Sequence, residues 1–132
     1  MPTTVLVADD DAAWRAFVAE LLTDEGYAVV QAPDGAAALE HLRQSPTGLV
    51  ALLDLHMPQM SGFDVLRVVD ADAALRQRHA YLVLSSAASS GLPADFLPLV
   101  ARHSIPVFTK PCDLGALLAA ADAAATQVSP HR

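Results

Sequence analysis

Five polar residues stand at the ends of short apolar runs. Asp9 and Asp10 follow Val5-Leu6-Val7-Ala8, Asp54 follows Leu49-Val50-Ala51-Leu52-Leu53, Ser85 follows Tyr81-Leu82-Val83-Leu84, and Lys110 closes Val107-Phe108-Thr109. Three carboxylates gathered in one pocket repel one another, and without compensation their pKa values rise. Two compensators are available. A hard cation such as Mg²⁺ prefers oxygen ligands and keeps several waters, and Lys110 supplies a fixed positive charge. Ser85 adds a neutral hydrogen-bond donor. A carboxylate nucleophile, a metal, a lysine and a hydroxyl are the parts needed to form and hold an aspartyl phosphate. Each residue alone is weak evidence, because a carboxylate after a strand often caps a helix or sits in a loop.

The elements that would bring these residues together can be read from the same chain. The run 5–8 reads as a buried strand. Trp14, Phe17, Val18, Leu21 and Leu22 then recur at helical spacing, one face of an amphipathic helix that Asp11 caps and Gly26 closes. A second strand covers 27–31. Asp34 caps a helix through Gln44, and Pro46 and Gly48 end that unit. A third strand, 49–53, runs into Asp54 and a Pro- and Gly-containing loop to Gly62. Phe63, Leu66 and Val69 mark a third helix, 81–84 a fourth strand, 107–109 a fifth, and Asp113 caps a last, Ala-rich helix with Leu114, Leu117, Leu118 and Ala121 on one face.

This count gives five βα units. Continuous apolar strands suit a parallel sheet covered on both faces, and right-handed crossovers make it a doubly wound α/β fold with five strands and five helices. With the flavodoxin-like strand order 2-1-3-4-5, strands one and three are neighbours. Ligands then sit at the carboxyl ends of the strands near the switch point, which places Asp9, Asp10 and Asp54 in one pocket.

Length and composition narrow the function. The 132 residues are the size of one domain, read as a single unit over 1–132 with a core at about 4–127 and a short C-terminal tail. Acidic residues outnumber basic ones 15 to 8, for a net charge of −7. That disfavours a nucleic-acid groove, which needs clustered Lys and Arg. Cys112 is the only cysteine, so neither an internal disulfide nor a multi-cysteine metal site can form. The N-terminus lacks the pattern of a signal peptide, and the apolar runs are too short to span a bilayer. The expectation is a cytoplasmic chain with no nucleic-acid or membrane partner.

Over about residues 4–127 the chain resembles the response-regulator receiver family of two-component signalling. The resemblance rests on residues 5–11, on Leu52-Leu53-Asp54-Leu55-His56-Met57-Pro58-Gln59-Met60-Ser61-Gly62, on Leu84-Ser85-Ser86-Ala87, and on Thr109-Lys110-Pro111, in that order. It implies that Asp54 accepts the phosphoryl group. It also implies that Asp9, Asp10, Asp54 and the backbone carbonyl of His56 hold Mg²⁺, and that Lys110 pairs with the phosphoryl oxygens. Ser85 is the implied switch hydroxyl, and the Lys110-Pro111 peptide is expected to be cis. Ser86 competes with Ser85, since successive strand residues face opposite ways and only one of the two points inward. The implied donor is a phosphohistidine on a sensor histidine kinase or a histidine phosphotransfer protein, and the output goes to a partner protein. The chemistry would be the chain's own phosphorylation and dephosphorylation, without turnover of an external substrate.

Two other functions compete. A metal-dependent phosphohydrolase using Asp54 as nucleophile would resemble the Asp-x-Asp hydrolases, but His56 stands at the second position after Asp54, and no cap domain is present. A degenerate receiver acting only as an interaction module would not need Asp9, Asp10, Asp54 and Lys110 intact. Some positions depart from the family. Val107 stands where an aromatic residue is frequent, and Phe108 should face the other way. Cys112 replaces a Phe and suits a small buried hydrophobe. Trp14 is either a core-facing residue or one at the rim of the site, and the His56 ring is either an exposed loop side chain or a group at the pocket mouth. Pro98 would kink or split a helix opened by Pro93. That helix offers only Asp95, Arg102 and His103 as charges, and residues 113–127 contain no Lys or Arg. The expected output face is therefore less polar, with little phosphorylation-driven dimerisation.

Overall fold

The computed structural model describes residues 2–86, 92–110 and 112–128. Five strands form one parallel sheet: β1 (Thr4–Ala8), β2 (Ala28–Ala32), β3 (Leu49–Asp54), β4 (Ala80–Ser86) and β5 (Val107–Lys110), in the order β2-β1-β3-β4-β5. The helices are α1 (Ala12–Asp24), α2 (Gly35–Gln44), α3 (Gly62–Ala71), α4 (Ala73–Arg78), α5 (Phe96–Arg102) and α6 (Leu114–Val128). The doubly wound fold and its strand order are as the sequence implies.

Alternation along the strands feeds two cores. Leu6, Ala8, Ala51, Leu53, Tyr81 and Val83 meet Leu39, Leu42, Leu66, Val69, Phe96 and Leu99 from α2, α3 and α5. Val5, Val7, Val50, Leu52, Leu82 and Leu84 meet Val18 and Leu22 of α1 and Leu117 and Ala121 of α6. All six residues of β3 are buried, because this strand is covered on both faces. Among the described residues, no helix is long and apolar enough to cross a membrane.

The caps read from the sequence are in place. The Asp11 carboxylate accepts from the Ala13 and Trp14 N–H groups, Asp34 from Ala37, and Asp113 from Gly115 and Ala116. Gly26 follows α1 at φ +98°, a left-handed conformation that glycine adopts without strain.

Four expectations need correction. The helices among the described residues number six, not five. The extra one, α4, has a single buried apolar residue, Leu75, and so no periodic stripe to announce it. Asp72 ends α3 and caps α4, accepting from the Ala74 and Leu75 N–H groups. The second strand runs one residue later than 27–31. Phe17 does not face the core; it is 47% exposed, its ring tilted against Trp14 with centroids 5.9 Å apart, while Val18, Ala19 and Leu22 make the buried stripe. Pro98 does not split its helix. The helix opens at Phe96, not at Pro93, so Pro98 lies in the first turn, where a backbone N–H has no intrahelical acceptor to lose.

A buried histidine ties the sheet's other end. The Leu49 N–H donates to His79 Nδ1 at 2.9 Å, and His79 Nε2 lies 2.8 Å from the Leu42 carbonyl oxygen. The ring therefore carries its proton on Nε2 and is neutral. Burial, followed by the charge of Arg78, outweighs the bond to Leu42 and holds its pKa below the usual histidine range.

Candidate functional site

The strand register explains how the site assembles. Ala8 of β1 lies opposite Leu53 of β3, so Asp9 and Asp54, the next residue on each strand, emerge side by side. The Asp9 N–H donates to the Ala32 carbonyl, and the Leu55 N–H to the Leu84 carbonyl, which extends the ladder past the last paired residues. One oxygen each from Asp9, Asp10 and Asp54 lie within 4.8 Å of one another. Asp9 and Asp54 are buried, and Asp10 is exposed at the mouth.

Lys110 closes the cluster from β5. Its Nζ donates to Asp9 Oδ2 at 2.6 Å and lies 3.5 Å from Asp54 Oδ2. Burial alone would lower the pKa of this ammonium, but the hydrogen bond to Asp9 and the charges of Asp54 and Asp9 raise it, so Lys110 stays protonated. Asp54 is shifted up to about 6, first by burial and then by the Asp9 charge, against the pull of the His56 N–H and Lys110. One ammonium therefore does not neutralise the pocket.

The loop after Asp54 is held by local contacts. The His56 N–H donates to Asp54 Oδ1 at 3.2 Å, and the His56 side chain is exposed. Gln59 turns the chain at φ +66°. Ser61 and Asp64 then form a reciprocal capping box at the start of α3. A Cβ on Gly62 would lie 2.3 Å from the Asp54 carbonyl oxygen, so only glycine lets α3 begin this close to the strand end.

Ser85 is buried and pairs with Thr109 across β4 and β5. By alternation it shares a face with Val83 and Val107, whereas Phe108 packs into the other core beside Leu84. Val107 is 41% exposed and leaves that edge without a ring. Of Ser86 only the backbone, opposite Lys110, is described; its side chain, Ala87 and Pro111, and with it the expected cis peptide, lie outside the described residues. Cys112 is half-buried against the α1/α6 core.

Two contacts were not named from the sequence, although it allowed Trp14 a place either in the core or at the rim of the site. Arg15 Nη1 donates to the Asp9 carbonyl at 2.7 Å, tying α1 to the end of β1. Trp14 is half-buried against the core and also lies beside Lys110, whose Nζ is 5.3 Å from the ring centroid. Both residues sit one turn after the Asp9-Asp10-Asp11 run, but neither type carries chemistry that spacing alone would flag.

The oxygen donor set suits a hard cation. Three carboxylate oxygens converge on one point beside the exposed mouth, with too little positive charge to balance them.

Residues 5–122 match the model of the response regulator receiver domain. The chain belongs to this family.

The receiver is 37% identical over 112 residues to response regulator RR06 of Streptococcus pneumoniae, covering 83% of this chain and 47% of that protein. It is 40% identical over 75 residues to the DNA-binding response regulator MtrA of Mycobacterium tuberculosis, covering 57% of this chain and 32% of that one. A solved CheY-like receiver domain from Methanospirillum hungatei superposes with a TM-score of 0.76 at 28% identity, covering 96% of this chain and 94% of its own. The chain is thus a receiver domain of two-component signalling. It spans about half the length of RR06 and a third of MtrA, so the expected absence of a nucleic-acid partner does not extend to a longer protein. The net negative charge speaks only for this receiver's own surface.

Proposed function

We propose that this receiver takes a phosphoryl group onto Asp54 from a phosphohistidine, and that this changes the face it shows to a partner protein. The observation that carries the reading is the cluster of Asp9, Asp10 and Asp54 oxygens within 4.8 Å, bridged by Lys110 at 2.6 and 3.5 Å. A buried carboxylate at a strand end, facing a fixed ammonium, is an activated oxygen nucleophile.

An Asp54 carboxylate oxygen attacks phosphorus. A P–O bond forms, the P–N bond of the phosphohistidine breaks with its electron pair staying on nitrogen, and the donor ring, already protonated on its other nitrogen, leaves as neutral imidazole. Mg²⁺ would be held by Asp9, Asp10, Asp54 and the His56 carbonyl, and when bound it offsets the charge of the phosphoryl oxygens. Lys110 moves from Asp9 toward those oxygens. Ser85, with Ser86 as the alternative, supplies the hydroxyl that reports the phosphoryl group to the β4–β5 face. The donor is a sensor histidine kinase or a histidine phosphotransfer protein. This reading puts the chain in the cytoplasm, where ATP feeds such kinases, and treats 1–132 as one receiver unit with its core at about 4–127.

Incubation with acetyl phosphate and Mg²⁺, followed by intact mass, tests it. The wild type should gain one phosphoryl group, and Asp54→Asn none. Equal gain in both would overturn the assignment, and multiple-turnover release of phosphate would favour a hydrolase instead.

A further inference from the structure

We propose that Trp14 is a positioning residue for Lys110, holding the ammonium against the face of its indole so that it stays aimed at the phosphoacceptor pocket. The inference rests on the reading of Asp54 as phosphoacceptor and adds a residue to that chemistry.

Three observations converge. Lys110 Nζ has carboxylate oxygens on one side, Asp9 Oδ2 at 2.6 Å and Asp54 Oδ2 at 3.5 Å. The Trp14 ring faces the same ammonium, with the centroid 5.3 Å from Nζ, within the range in which a cation is drawn to an aromatic face. The indole Nε1, moreover, is buried and has no hydrogen-bond partner among the described residues. A buried indole normally satisfies that donor. Here the ring is placed without a bond of its own: it packs beside Phe17 and the α1/α6 core, on a first turn of α1 that Asp11 and Arg15 fix. The Asp11 carboxylate accepts the Trp14 backbone N–H, and Arg15 anchors the turn to the Asp9 carbonyl.

The ring does something a carboxylate cannot. A carboxylate partner pins the ammonium to one oxygen, whereas an aromatic face attracts it without competing for any. Lys110 can therefore pass from Asp9 to the oxygens of a phosphoryl group on Asp54 while remaining over the indole. A leucine at position 14 would keep apolar volume against the core but leave the ammonium tethered only by oxygens that the reaction rearranges.

The test compares wild type, Trp14→Leu and Trp14→Phe in acetyl phosphate labelling, with melting temperatures taken in parallel. Trp14→Leu should label about three- to tenfold more slowly, and Trp14→Phe should recover most of the rate because it keeps a weaker aromatic face. Equal rates in wild type and Trp14→Leu would overturn the proposal, as would a Phe variant no faster than Leu. A second measurement does not depend on labelling or on Trp14→Leu folding. Trp14 is the only tryptophan, so its emission should shift between wild type and Lys110→Met. Superimposable spectra would overturn the pairing. A wild type that takes no label would defeat the Asp54 reading, and the emission comparison would still decide the Lys110–Trp14 contact.

Discussion

Lys110 lies closer to Asp9 than to Asp54, 2.6 Å against 3.5 Å. The lysine thus offsets the charge of Asp9 first, and Asp54, the proposed phosphoacceptor, remains undercompensated.

Metal binding should therefore stabilise the fold. At ten times its Kd, a ligand that binds only the native state adds about 1.4 kcal/mol, a rise of several degrees in Tm for a chain of this size. Thermal melts with and without millimolar Mg²⁺ check this. Asp10→Asn should shrink the rise, since Asp10 supplies one of the three oxygens but is exposed and carries no core packing. A Tm indifferent to Mg²⁺ would count against the metal site.

Gly62→Ala should be damaging where Gly26→Ala is mild. A Cβ at Gly62 meets the Asp54 carbonyl at 2.3 Å, whereas one at Gly26 meets nothing within 4 Å and incurs only the left-handed backbone strain. The expected losses are about 2–3 kcal/mol for Gly62→Ala and about 1 kcal/mol for Gly26→Ala. Urea unfolding measures both. Comparable losses would mean that Gly62 is not packed against the Asp54 carbonyl.

His79 should make the fold acid-sensitive. Its folded pKa lies below the unfolded value of 6.5, so the unfolded chain takes up the proton first. The contribution of the neutral ring is complete above pH 6.5 and is lost as pH falls through the folded pKa, by up to about 1.4 kcal/mol per pH unit for one proton. Asp54 acts in the opposite sense, because its raised pKa removes stability as pH rises. The His79 effect is isolated by comparing wild type with His79→Gln between pH 7 and 5. The wild type should lose more stability across that window, and parallel curves would refute the assignment.

Phosphorylation should produce little dimerisation through the α5–β5–α6 face. The charges of α5 are already engaged with α3: Asp95 with Arg67 at 3.2 Å, and Arg102 and His103 with Asp70 at 3.0 and 2.6 Å. Leu97 of α5, 69% exposed, and Val107 of β5, 41% exposed, leave apolar surface on these elements, and α6 has no Lys or Arg. Sedimentation with beryllofluoride should stay monomeric at micromolar concentration. A tight dimer on that face, present only with the mimic, would show the reverse.

The sequence carried the strand-end residues clearly. An apolar run that stops at a carboxylate or a lysine marks both the strand and the pocket edge, and the parallel fold brings those edges together. The site's supports were less legible. Gly62 needs its missing side chain because of a backbone carbonyl eight residues earlier, a contact that exists only once the loop has folded. Trp14 fits the helical stripe as well as Phe17 does, yet it lies at the core and beside Lys110 while Phe17 faces outward; periodicity cannot separate residues at the margin of one face. The short α4 was hidden because Leu75 alone carries its burial.

Locating the phosphoryl group decides whether Asp54 is the acceptor. Protein labelled with acetyl phosphate and Mg²⁺ is reduced with borohydride, which converts an aspartyl phosphate to homoserine, and its peptides are then sequenced by mass. Phosphorylation of Asp54 requires homoserine at position 54 and at no other aspartate. Homoserine at 9 or 10, or a label that survives reduction on another residue type, would contradict it.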